Sequence, residues 1–107
     1  MQVIYNVTVS VDKQVCDEWL EYMKEVHIPD VMNTGSFLES RLSRVHGEEE
    51  GGVTYAVQYL CKDMNTYEEY QAKHAPALQA DHTKKYGLRT VAFRTLLTVH
   101  KSFTHDS

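Results

Sequence analysis

Two histidines sit in the same three-residue phrase, His27-Ile28-Pro29 and His74-Ala75-Pro76, 47 positions apart. An imidazole titrates near neutrality and can take or give a proton, so His27 and His74 are the candidate acid/base groups. Their bland alternative is structural, a histidine in a last helical turn donating to carbonyls or packing on an aromatic ring. Arg94 is the second candidate, because a guanidinium in mid-strand between Phe93 and Leu96 needs an acceptor. Glu39 across a dimer would be a structural partner, and an anionic ligand a functional one. Strand parity predicts that Asn6, Gln58 and Arg94 point into one interior. Among the seven tyrosines, Tyr55, Tyr59, Tyr67 and Tyr70 would line a pocket for a planar ligand or pack as core. Asn6, Gln58, Arg94 and Tyr55 are therefore the candidate ligand-binding set.

Other chemistry finds little support. In the expected fold the two helices run antiparallel, which places His27 and His74 on the order of 20 Å apart, whereas zinc ligands lie about 2 to 2.2 Å from the metal. No His-x-x-x-His, Cys-x-x-Cys or Glu-x-x-His spacing replaces them, so no metal is expected. There is no Gly-x-Ser-x-Gly elbow, phosphate loop or dinucleotide fingerprint, and no cofactor is expected. Cys16 is expected in mid-helix, without a helix N-terminus or cation to activate its thiol.

These residues need elements to position them. Val3, Tyr5, Val7, Val9 and Val11 alternate with more polar neighbours as a first strand. Asp12 is a plausible N-cap for a helix through Cys16, Trp19, Leu20, Met23 and Val26, on whose inward side His27 lies. Each proline should close its helix, so that the histidine falls in the last turn. Gly35 reads as a turn glycine with positive φ, and Phe37 to Val45 as a second strand in which the phase of Arg41 stays open. His46 to Gly52 is a polar hairpin loop with three consecutive, solvated glutamates. Val53 to Cys61 is the clearest strand. Asp63 or Asn65 caps the next helix, which carries Tyr67, Tyr70, Gln71 and His74 on one side. A further helix holds Leu78, His82 and Tyr86 before Gly87. Arg89 to His100 is the fourth strand, and 101–107 a frayed tail.

The order βαββαβ predicts a single ferredoxin-like α+β domain over 1–107, with a four-stranded antiparallel sheet and both helices on one face. If the odd face of the first strand meets the helices, the bare face carries Ile4, Asn6, Thr8, Ala56, Gln58, Leu60, Ala92, Arg94, Leu96 and Thr98. That mixture is too apolar to leave in water, so a homodimer through this face is expected. With 42% apolar residues and a formal charge of −4, the chain has one core and no basic surface for nucleic acid or an anionic membrane. Two cysteines without a paired spacing and no apolar span or leader pattern suit the cytoplasm.

Tyr5-Asn6-Val7-Thr8-Val9, His27-Ile28-Pro29, Gly52-Val53-Thr54-Tyr55-Ala56-Val57-Gln58-Tyr59, His74-Ala75-Pro76-Ala77-Leu78 and Val91-Ala92-Phe93-Arg94-Thr95-Leu96 resemble a family of short bacterial proteins known only as a domain of unknown function. In layout the chain is similar to the dimeric α/β-barrel superfamily of antibiotic-biosynthesis-type monooxygenases and muconolactone-isomerase-like proteins. The resemblance implies a homodimer with facing sheets and a small ligand between sheet and helices or within the barrel. It transfers no catalytic residue. Three functions stay open: a binding protein for a small anionic or aromatic molecule, a cofactor-free monooxygenase or isomerase using His27 or His74, and a structural or interaction module without a ligand.

Overall fold

The computed structural model describes residues 1–47 and 50–105. Four strands, β1 (Val3–Asp12), β2 (Glu39–Arg44), β3 (Gly52–Cys61) and β4 (Thr90–Thr98), form one antiparallel sheet in the order β2-β3-β1-β4. Four helical segments accompany them: α1 (Cys16–Tyr22), α2 (Ile28–Met32), α3 (Met64–Lys73) and α4 (Ala75–Tyr86). This is the expected ferredoxin-like arrangement.

The period-two patterns of β1 and β3 translate directly into the core. Val3, Tyr5, Val9 and Val11 are buried on β1, as are Val53, Tyr55, Val57, Tyr59 and Cys61 on β3. Their registers, Tyr5 opposite Tyr59 and Val7 opposite Val57, place these side chains on the helix side. Trp19 and Met23, Val31, and Tyr70 close over them from the helices. Phe37 joins this core although it precedes β2, stacking on Tyr5 and meeting Tyr59 at 5.0 Å. Arg41 faces the opposite side of the sheet, level with Gln58.

The first proline does not end its helix. Backbone dihedrals stay right-handed helical at the junctions from Tyr22 to Ile28, and Met23–His27 form a π-helical turn joining α1 to α2. In that turn the Ile28 N–H reaches back five residues to the Met23 carbonyl. The widened ladder resets the hydrogen-bond register, so Pro29 falls in the first turn of α2, where a missing N–H costs little. α2 ends instead at Met32, and the turn that follows reaches Gly35, whose φ of 77° is the left-handed value expected of it.

Two further expectations change, and one open alternative is decided. Asp12 does not cap α1: its carboxylate accepts from the Gln14 N–H and pairs with Arg89 at 3.0 Å. Cys16 opens α1 instead of lying within it. Asp63, not Asn65, caps α3, accepting from the Thr66 N–H at 2.8 Å. Residues 101–105 form no regular element and are exposed, with Phe103 82% accessible. Glu48 and Glu49 of the expected solvated loop, and the last two residues of the expected tail, lie outside the described residues.

The largest correction concerns β4. Its register sets Arg94 opposite Val7, Ala92 opposite Val9 and Leu96 opposite Tyr5, so the even-numbered residues face the helices. The bare face therefore carries Val91, Phe93, Thr95 and Leu97 from this strand. All of residues 91–98 are exposed, which is why hydrophobicity misassigned the parity: β4 has no well-covered face to sort its side chains. The predicted common interior of Asn6, Gln58 and Arg94 does not exist. A pairing of Arg94 with Glu39 through a bare-face dimer is lost too, because Glu39 lies opposite Leu60 on the far side of the sheet.

Candidate functional site

A cleft of about 60 Å³ opens between the sheet and the helices, lined by Tyr5, Val7 and Val9 of β1, Val57 and Tyr59 of β3, Ala92 of β4, Met23 and His27 of the π turn, Tyr70 of α3, and Leu78, Gln79 and His82 of α4. Roughly 10–15 Å³ of such space accommodates one water, whose share of liquid volume is about 30 Å³. The cleft thus holds on the order of five waters; a ring, which needs roughly 150 Å³ to be enclosed, would enter it only in part.

Its walls are aromatic. Tyr5 lies 5.9 Å from Tyr59, 5.3 Å from Tyr67 and 6.2 Å from Tyr70, ring centre to ring centre. Beside them Arg94 Nε donates to the Tyr5 hydroxyl at 3.0 Å. Among the described residues the ion pairs are Lys73–Glu69 and Asp12–Arg89, and neither involves Arg94. Most of its planar fork of donors is left for other acceptors.

The other polar groups are held neutral. Burial, then the neighbouring His82, pulls the His27 imidazole down to about 4, against a smaller opposing pull from Asp30 and Asp81. Burial, then the charge of Arg94, lowers His82 as well. The phenols of Tyr59, Tyr70 and Tyr67 are pushed up, chiefly by burial. At neutral pH the cleft is an uncharged aromatic slot with one cation beside it.

The predicted site residues separate into distinct places. His27 is in the cleft and Arg94 is bonded to one of its walls. Tyr55 is outside it, in the core 5.1 Å from Trp19. His74 lies in a separate depression with Thr34, Gly35, Ser36, Thr66, Glu69 and Tyr70, apart from His27. Gln58 lines a third depression, with Ile4, Glu39, Ser40, Arg41 and Leu60, on the sheet's bare side. Asn6 is paired with Gln58 there and donates to Thr8 Oγ1 at 3.0 Å. Tyr5 and His82 were missed. The signal for His82 was its spacing with Leu78 and Tyr86, which sets all three on one side of α4.

Among the described residues no group of three or more His, Cys, Asp or Glu side chains is arranged to hold a metal ion. Among the same residues no helix is long and apolar enough to cross a membrane.

Solved structures with this fold include a dimeric ferredoxin-like protein from an uncultured marine organism, 11% identical over 98% of this chain and 100% of its own, with a TM-score of 0.76. SnoaB, a cofactor-independent oxygenase from Streptomyces nogalater, is 10% identical over 98% of this chain and 100% of its own, with a TM-score of 0.69. A Bacillus cereus protein assigned by name to the antibiotic biosynthesis monooxygenases is 10% identical over 97% and 98%, again at 0.69. At these identities the likeness is one of fold. A search of curated proteins finds no match. Residues 2–100 match the DUF4286 domain of unknown function, and the chain belongs to that family.

Proposed function

We propose that this protein is a cytoplasmic homodimer that binds a small aromatic acid in the cleft between sheet and helices. The observation that carries the reading is the Arg94 guanidinium, bonded to Tyr5 at 3.0 Å with no carboxylate partner among the described residues, beside a slot whose remaining polar groups are neutral. An apolar slot favours a ring, and a cation with free donors at its wall favours a carboxylate. The dimer is supported by Val91, Phe93 and Leu97, which are 75%, 63% and 43% exposed on the bare face, and by the dimeric ferredoxin-like neighbour. Two free cysteines suit a reducing compartment.

A thermal-shift screen of single-ring aromatic acids on wild type and Arg94→Ala tests the assignment. At a hundredfold excess over Kd a ligand stabilises the native state by about 2.7 kcal/mol, on the order of 10 °C in Tm for a chain of this size. Wild type should shift and Arg94→Ala should lose most of the shift. A hit that Arg94→Ala leaves unchanged removes Arg94 from the site, and a screen with no hit favours an interaction module.

A cofactor-free oxygenase or isomerase is the second reading, favoured by His27 opening onto the same cleft. SnoaB, of the same fold, is such an oxygenase. A base near pH 4 facing a phenol near 10 would start about 8 kcal/mol uphill at 1.36 kcal/mol per pH unit. His27 would therefore need the bound carboxylate to raise it before it could act as proton acceptor.

A further inference from the structure

The second histidine of the cleft is fixed more firmly than the first. The Trp19 indole Nε1–H points at His82 Nε2 across 2.9 Å. An indole nitrogen can only donate, so His82 Nε2 must present its lone pair and the imidazole proton must sit on Nδ1. Trp19 is itself immobilised, with no exposed surface and its ring 5.1 Å from Tyr55. Protonating His82 would set one N–H against another. Burial and the charge of Arg94 also keep the ring neutral. Around the imidazole stand His27 at 5.6 Å, Tyr86 at 6.0 Å and Tyr22 at 6.4 Å between ring centres. None of them accepts a hydrogen bond from Nδ1–H among the described residues, and Nδ1 is not among the sealed, unsatisfied atoms of the interior.

We propose that His82, fixed by Trp19 as the Nδ1–H tautomer, determines the specificity of the cleft by donating to a carbonyl oxygen on a single-ring aromatic acid whose carboxylate is drawn to Arg94. This rests on the reading of the cleft as a small-molecule site and adds the second polar group that its ligand must carry. Trp19 is a positioning residue: it touches no ligand and acts by choosing the tautomer. A neutral donor held in advance recognises an acceptor without reorganising, and it is left unsatisfied by a ligand that lacks one.

Affinities of 4-acetylbenzoate and 4-isopropenylbenzoate, which share a planar shape but differ in the carbonyl oxygen, test the donor. Wild type should prefer the acetyl compound by about three- to tenfold, the value of one neutral hydrogen bond. His82→Phe should bring the ratio near one, and His82→Gln, which keeps a neutral donor, should retain part of it. Nitrogen NMR of the imidazole supplies a readout that needs no ligand and no His82 variant. Wild-type His82 should be protonated at Nδ1, and Trp19→Phe should let the other tautomer appear. Equal binding of both benzoates to wild type, a preference that survives His82→Phe, or a wild-type proton on Nε2 would each overturn the assignment of His82 while leaving the cleft as the binding site. Failure of both benzoates to bind wild type would overturn the cleft reading and this inference with it.

Discussion

His27 is a residue at which acid should loosen this protein. Its pKa is about 4 in the fold against an ordinary value of 6.5. Between those two values the unfolded chain binds a proton that the folded chain refuses. Stability therefore falls as pH drops from 6.5 towards 4 and levels off below that window. The gap corresponds to about 3 kcal/mol at 1.36 kcal/mol per unit, and His82, lowered by burial and Arg94, acts in the same direction. Urea unfolding at pH 7 and pH 4.5 should show the loss in wild type and a distinctly shallower one in His27→Gln. An unchanged slope in the variant would place the acid sensitivity elsewhere. The sequence pointed to His27 through its His-x-Pro phrase but gave His74 equal weight. What separates them is the tertiary setting: His27 lies under α4, whereas His74 sits in the junction between α3 and α4 and packs on Tyr70 at 6.2 Å.

At the scale of elements, local chemistry sets the boundaries where one interaction dominates. Asp63 satisfies an orphan N–H at the start of α3, and Asp63→Ala should cost about 1 kcal/mol, measured by denaturant unfolding. Asn65→Ala, two residues past the cap and inside the first turn of α3, should cost distinctly less. Equal losses would mean that Asn65 shares the capping. The strands show when parity is legible. β1 and β3 pack one face on helices, so Tyr5, Val9, Val57 and Tyr59 declare that face by type. β4 is exposed on both, and alternation alone could not tell which way Arg94 points. Pro29 failed as a stop signal for another reason: a π turn upstream shifts the hydrogen-bond ladder so that the proline meets no unsatisfied carbonyl demand.

At the scale of the whole molecule, the two sides of the sheet have different tasks. The helix side holds the cleft. The bare side presents Phe93 and Leu97 beside a polar row of Arg41, Gln58, Asn6 and Thr95 that crosses all four strands at one level. A face of this kind suits a self-associating, partly wet interface better than open water. Phe93→Lys combined with Leu97→Lys changes two exposed positions and should leave the fold intact. Each removes roughly 1.5–3 kcal/mol of apolar burial at an interface, enough to weaken dimerisation at least a hundredfold. Sedimentation equilibrium at micromolar concentration should give a dimer for wild type and a monomer for the double variant. A monomeric wild type would contradict the dimer.

In the proposed site the ligand lies between sheet and helices, next to Arg94. An amide NMR titration of the wild-type protein with 4-acetylbenzoate tests it most directly, because the two faces of the sheet report through different strands and side chains. The perturbed residues should cluster at His27, Tyr59, Tyr70, His82 and Ala92, with the Arg94 guanidinium signal moving at the same ligand concentration. Perturbations centred on Arg41, Gln58 and Asn6, with the cleft signals unmoved, would contradict it.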